Sequence, residues 1–209
     1  MNKPGTVFLV VGPSGAGKDS LIAAAHERLH HFGQIIFPKR VITRPNATDR
    51  ERHILLGADE FDLAEANNAF ALSWHAYGHG YGVPGQIIRD IEDGHNVVVN
   101  VSRAIVPSAR LYFNPLVVLH VTVPLDLAMR RLQERGREDE WEMARRLKRH
   151  DVDNPEGPDV ITIDNSGAFD EAVEAVYQAT AALMSRLVAH SPPKNREEER
   201  EKARARFAR

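Results

Sequence analysis

Apolar positions along this chain fall into two kinds of run. Continuous stretches rich in β-branched residues stand at Thr6–Val11 (TVFLVV), Asn96–Val101 (NVVVNV), Leu116–Val123 (LVVLHVTV) and Val160–Asp164 (VITID). Unbroken apolarity of that length belongs to strands buried on both faces of a parallel sheet. Other stretches repeat at helical spacing: Leu21, Ile22, Ala25 and Leu29 after the first strand, then Gly85–Asp93 and Phe169–Val188. Further strands are expected within Ile35–Thr43 and at Phe70–His75, and short helices at Asp62–Asn68 and Pro107–Tyr112. A helix opens at Pro124 and runs to about Arg135, with a second helical stretch over Glu138–His150. Residues 46–60 read as a polar loop or small insertion, and the glycine-rich Tyr77–Pro84 as a loop. About five β-runs alternating with helices predict an α/β fold, a parallel sheet with helices on both faces.

Between the first strand and the first helix the chain reads Gly12, Pro13, Ser14, Gly15, Ala16, Gly17, Lys18, which fits G-x-x-x-x-G-K. Glycines let the backbone fold so tightly that successive N–H groups face phosphate oxygens. The helix that follows adds its positive end, and Lys18 supplies a movable point charge for the β- and γ-phosphates. A plain glycine turn before a helix lacks this combination of strand, helix and lysine. One position departs from the usual motif. Where a Ser or Thr hydroxyl ordinarily ligates Mg²⁺, this chain has Asp19 and then Ser20. Asp19 is a hard oxygen ligand and a metal candidate; Ser20 can take the hydroxyl role instead, and Asp19 also suits the first turn of a helix.

Composition narrows the picture only a little. The chain has 209 residues, enough for one core with a small lid, and its 43 % hydrophobic and 27 % charged residues are ordinary for a globular protein. A formal net charge of −2 gives no global basic field for nucleic acid. With no cysteine, disulfides, thiolate chemistry and cysteine-based zinc sites are excluded. The apolar run after Lys3 is too short for a secretory or membrane segment, so a cytoplasmic home is expected. From Ser191 to Arg209 the chain carries seven Lys/Arg and four Glu with Phe207 as its one large apolar residue, and this stretch is expected to be a solvated, mobile tail. The expected organisation is one kinase domain over 1–190, an acceptor region over about 38–95, a lid over about 130–148, and the tail 191–209.

Two groups of arginines suit phosphoryl transfer, which needs charge stabilisation and positioning more than covalent chemistry. Between Met129 and Arg149 stand Arg130, Arg131, Arg135, Arg137, Arg145, Arg146 and Arg149, broken at Gly136. That layout suits two helices joined by a mobile lid, with Arg135 and Arg137 beside the break and Arg131 and Arg146 on the helices; the same charges, laced with Glu134, Glu138, Glu140 and Glu142, also suit a solvated face. Arg40 and Arg44 lie at the end of an expected strand, where open α/β sheets bind ligands, and offer planar forks for an acceptor's phosphate.

With these residues in view, positions 5–185 resemble the guanylate-kinase branch of P-loop kinases. The resemblance rests on GPSGAGKDSL at 12–21, TRP at 43–45, FALSWHAYGHGYGVP at 70–84, VVVNVSRAIV at 97–106 and RRLQERGRED…ARRL at 130–147. It implies a three-layer α/β/α P-loop fold with a small substrate-binding insertion and an arginine-rich lid. The glutamate that reads guanine in that branch falls at Ser73, and its two strand aspartates fall at Asn100 and Ser102. Those losses remove the acceptors a guanine ring needs, and an unpaired guanine N–H is costly to bury. TRP, ALSWHA, YGVP, VVVNVSR and GKD together resemble the ribose 1,5-bisphosphate phosphokinases of the PhnN type, in phosphonate breakdown. That resemblance implies ATP and Mg²⁺ as donor and metal, a sugar phosphate as acceptor, and 5-phosphoribosyl 1-diphosphate as product. Ser73, His75, His79, Tyr81, Asn100, Ser102 and Arg103 become candidates for acceptor contacts, and Trp74 for packing. Two other readings stay open: a guanylate or nucleoside monophosphate kinase, and a non-catalytic guanylate-kinase-like binding module. Retention of Lys18, Arg135, Arg137 and Arg146 speaks for catalysis.

Overall fold

The five side chains of β1 (Val7–Val11) are wholly buried, as a central strand demands. The structure, a computed structural model, describes residues 3–29, 34–43, 53–135 and 154–188, with side chains at all of these but 135 and 182–188. Around β1 lies a five-stranded parallel sheet in the order β2-β7-β1-β8-β9. Its other strands are β2 (Ile35–Ile36), β7 (Asn96–Asn100), β8 (Leu116–Thr122) and β9 (Val160–Asp164). The chain builds one side of the sheet through β7, then crosses β1 to add β8 and β9. This places the strand-order reversal at β1, the position where open α/β sheets bind ligands.

Alternation along the strands divides the core. Val7, Leu9, Val11, Val97, Val99 and Val101 share one face with Ile87 and Ile91 of α3 (Gln86–Glu92) and with Val106 and Ala109 of α4 (Val106–Tyr112). The opposite face of β7 carries α1 (Lys18–Leu29), whose Leu21, Ala25 and Leu29 are buried. Layers of helix, sheet and helix follow, as expected. α5 (Leu125–Arg135) and α6 (Phe169–Val188) complete the described helices, each starting within a residue or so of its expected bound.

Three local readings change. The run Ile35–Thr43 is two strands, β2 and β3 (Arg40–Ile42), in different sheets. Pro38 interrupts it, because a proline has no N–H to continue a ladder. Within residues 46–60, His53–Leu55 forms β4 and Ala58–Ala66 forms α2, so the helix starts four residues ahead of Asp62. The glycine-rich stretch read as a loop contains β6 (His79–Pro84), antiparallel to β5 (Phe70–Ala76). A second sheet results, in the order β4-β3-β6-β5. Its glycines are there for packing: a Cβ on Gly80 would stand 2.7 Å from the Phe61 ring, and one on Gly82 2.6 Å from the Phe70 ring. Those two rings stack at 4.8 Å.

Contacts divide the chain into two compact units, residues 1–177 and 178–209. The first contains all the described strands; of the second, residues 178–188 are described, the end of α6. No described helix is long and apolar enough to cross a membrane.

Candidate active site

A cleft of about 820 Å³ opens at the C-terminal ends of the parallel strands, walled on one side by the phosphate loop and on the other by the second sheet. β1 feeds into the loop, and the loop into α1, whose first residue is Lys18. Gly12, Gly15 and Gly17 all have positive φ. The constraint is double at Gly17: φ is +82, and a Cβ there would stand 2.6 Å from Asn165 Nδ2. Asn165 is buried and donates through Nδ2 to the Ala16 carbonyl at 2.8 Å, so a residue just past β9 holds the loop's shape. Lys18 Nζ donates to the carbonyls of Gly12 (2.9 Å) and Pro13 (2.8 Å), curling over the loop.

Arg131, on α5, donates through Nη2 to the Asn165 carbonyl at 3.0 Å. Its Nη1 is buried without a hydrogen-bond partner, 3.9 Å from where a Cβ on Gly17 would lie. A buried guanidinium N–H beside a phosphate loop is a donor that a phosphate oxygen satisfies. The nucleotide's phosphates therefore fit the residues present. So does a divalent cation: Asp19 and Ser20 bring hard oxygens to the cleft beside Lys18.

Asp19 Oδ1 accepts from Asn100 Nδ2 at 2.6 Å and from Arg40 Nη2 at 3.1 Å. Asn100 ends β7, one residue short of the loop in register with Val10, and is 7 % exposed. Arg40 opens β3 on the acceptor side, its side chain 14 % exposed. Among the described residues lining the cleft, the cations are Lys18, Arg40, Arg103 and Arg131, and Asp19 is the one carboxylate.

Pairing in the second sheet decides which side chains face the cleft. Ile42 pairs with Tyr81 and Tyr81 with Trp74, and all three line it. The Trp74 and Tyr81 rings stack at 5.4 Å with 6° between planes. Ser73 pairs with Gly82 and His75 with Gly80, on the other face, against α2. His75 there packs edge-on to Phe61 at 5.6 Å and stands 4.0 Å from Asp62. Period-two geometry thus turns Ser73 and His75 away from the cleft, against their expected acceptor contacts, while Trp74 packs against the core as expected and also lines the cleft. His79 is not among the lining residues.

At the end of β7, Ser102 caps the 3₁₀ turn Arg103–Ile105 by accepting from the Ala104 N–H at 3.4 Å. Arg103 donates to Asn154 Oδ1 at 2.6 Å, and both Ser102 and Arg103 line the cleft. Beneath them His120 of β8 is 6 % exposed and its Nε2 has no hydrogen-bond partner. Burial, and then the charges of Arg103 and Lys18, hold its imidazole below its ordinary pKa of 6.5. Arg44, Arg137 and Arg146 lie outside the described residues, and Arg135 ends α5. Sequence reasoning missed Asn165, His120 and the cleft face of Trp74; the alternation of Trp74 with Ser73 and His75 along the strand was the one available signal.

A family model described as "Uncharacterized conserved protein (DUF2277)" matches residues 156–202, less than half of the chain. The guanylate kinase of Anaplasma phagocytophilum has a similar structure, with a TM-score of 0.61 over 93 % of this chain and 99 % of that one; at 13 % identity the likeness is one of fold. The ribose 1,5-bisphosphate phosphokinase PhnN of a Chelativorans strain is 40 % identical over 178 residues, 85 % of each chain. That of Acidiphilium cryptum is 48 % identical over 149 residues, 71 % of this chain and 79 % of the relative. A bifunctional ribose 1,5-bisphosphokinase-thymidine phosphorylase of Cupriavidus pinatubonensis is 39 % identical over 83 % of this chain, which spans 29 % of that longer protein. With the phosphate loop, its Asp19 variant and a guanylate-kinase fold already in place, these relatives establish that the chain belongs to the PhnN family of ribose 1,5-bisphosphate phosphokinases.

Proposed function

We propose that this protein transfers the γ-phosphoryl group of ATP to ribose 1,5-bisphosphate, giving ADP and 5-phosphoribosyl 1-diphosphate. The observation that carries the reading is the make-up of the cleft among the described residues: a glycine loop with four cations and one carboxylate, facing Ile42, Trp74 and Tyr81, with no acid among the described residues of that acceptor wall. An oxygen of the 1-phosphate attacks the γ-phosphorus, and the bond from that phosphorus to the β-bridging oxygen breaks. The attacking oxygen is already ionised, so the site needs no strong general base.

The chain's own residues position and neutralise. Lys18 swings from its carbonyl partners to the β- and γ-oxygens, and Arg131 Nη1 meets a donor phosphate beside Gly17. Arg40 and Arg103 face the acceptor's phosphates. Arg44 and the lid arginines Arg135, Arg137 and Arg146 belong to the same proposal as further charge stabilisers. Mg²⁺, held through oxygens of Asp19 or Ser20, would screen the triphosphate's charge. The same proposal sets the reaction in the cytoplasm, where ATP and sugar phosphates are held.

Phosphorus NMR of the protein with ATP, Mg²⁺ and ribose 1,5-bisphosphate should show a new sugar diphosphate together with ADP. ADP release with GMP, and none with ribose 1,5-bisphosphate, would return the chain to the nucleotide kinases.

A further inference from the structure

The residue after the loop lysine and the residue at the end of the neighbouring strand are joined by a 2.6 Å hydrogen bond, Asn100 Nδ2 to Asp19 Oδ1. In the ordinary P-loop arrangement a Ser or Thr follows the lysine, and the acid is an aspartate elsewhere in the site, the two together holding the metal. Here the acid follows the lysine, and the strand end carries an amide, which donates. We propose that Asp19 and Asn100 act as one acid–amide pair whose two positions can trade roles: here the helix start holds the acid, and Asn100 at the strand end is a positioning residue for it rather than an acceptor ligand. The inference rests on the phosphate-loop reading and is independent of which acceptor is used.

Three observations carry it. Asp19 is the one carboxylate among the described lining residues, so no acid at a strand end duplicates it. Asn100 is 7 % exposed and its amide is committed to Asp19, which leaves a buried side chain whose visible task is orientation. Arg40 donates to the same oxygen at 3.1 Å, so the acid's charge is compensated from the acceptor side. Asp19 also stands in the first turn of α1, where the helix end favours an anion.

Exchanging the two roles tests this. Asp19→Ser and Asn100→Asp should each lower kcat at least about tenfold, the first by removing the acid and the second by setting two carboxylates against each other. The double variant Asp19→Ser/Asn100→Asp should recover at least about tenfold over Asp19→Ser alone. A second readout needs neither substrate nor metal. In Asn100→Asp two carboxylates face each other, so its Tm should lie below the parent's, and the double variant should recover that loss. A double variant no more active than Asp19→Ser, or an Asn100→Asp protein as stable as the parent, overturns the pairing. Absence of any kinase activity in the parent would instead strike at the proposed function.

Discussion

Lys18 and Asn165 show how differently two residues that serve one loop announce themselves. Lys18 is legible because its whole context is local: strand, glycines and helix lie within a dozen positions or so. Its ammonium already hangs over the loop on the Gly12 and Pro13 carbonyls. Lys18→Ala should lower turnover by roughly a hundred- to a thousandfold with the fold intact, read by steady-state kinetics beside circular dichroism. Unchanged turnover would remove it from the machinery. Asn165 holds the same loop from 149 positions away, and no short-range pattern marks a side chain that reaches back to one carbonyl. Asn165→Ala leaves the buried Ala16 carbonyl without that donor. The expected cost is about 1–3 kcal/mol of stability by urea unfolding, with a raised KM for ATP. A KM for ATP equal to the parent's would show that the loop keeps its shape unaided.

At the scale of elements, β1, β7 and β8 were legible because a strand buried on both faces reads as an unbroken apolar run, and β9, the sheet's edge with Ile161 37 % exposed, because Val160, Ile161, Thr162 and Ile163 are all β-branched. The second sheet was not, since each of its signals is compromised. Pro38 hides the hand-over from β2 to β3, and glycines at alternate positions of β6 count against a strand in any propensity argument. They are tolerated because Phe61 and Phe70 occupy the space their side chains would need. Gly82→Ala should therefore destabilise the protein by about 1–3 kcal/mol, measured by urea unfolding, because the added methyl meets an aromatic ring already stacked on another. A neutral substitution would mean the ring can move aside. The same alternation governs substrate contacts. Ser73→Ala and His75→Ala should leave the KM for ribose 1,5-bisphosphate within about twofold of the parent, whereas Trp74→Ala should raise it by about tenfold or more. A large effect at His75 with none at Trp74 would turn the face assignment around.

Across the whole molecule, a chain with a formal net charge of −2 gathers four cations and one carboxylate among the described residues of its cleft. Such a local field draws in polyanionic substrates, and it also acts on the buried imidazole of His120, which sequence reading left as one residue of a strand. Burial disfavours its charged form most, and Arg103 and Lys18 add repulsion. Above its ordinary pKa of 6.5 the ring is neutral in both folded and unfolded chains, so it contributes no pH dependence there. Below that value the unfolded chain takes up a proton that the folded protein resists. Unfolding then gains protons, and stability falls as pH drops from 6.5 toward the lowered folded value. His120→Gln removes this one titration and keeps a polar side chain at the same place. Its Tm should decline less than the parent's between about pH 7 and about pH 5, in buffers of matched ionic strength. Superimposable profiles would mean that the folded protein accommodates the imidazolium, and that the field of the cleft does not reach the sheet beneath it.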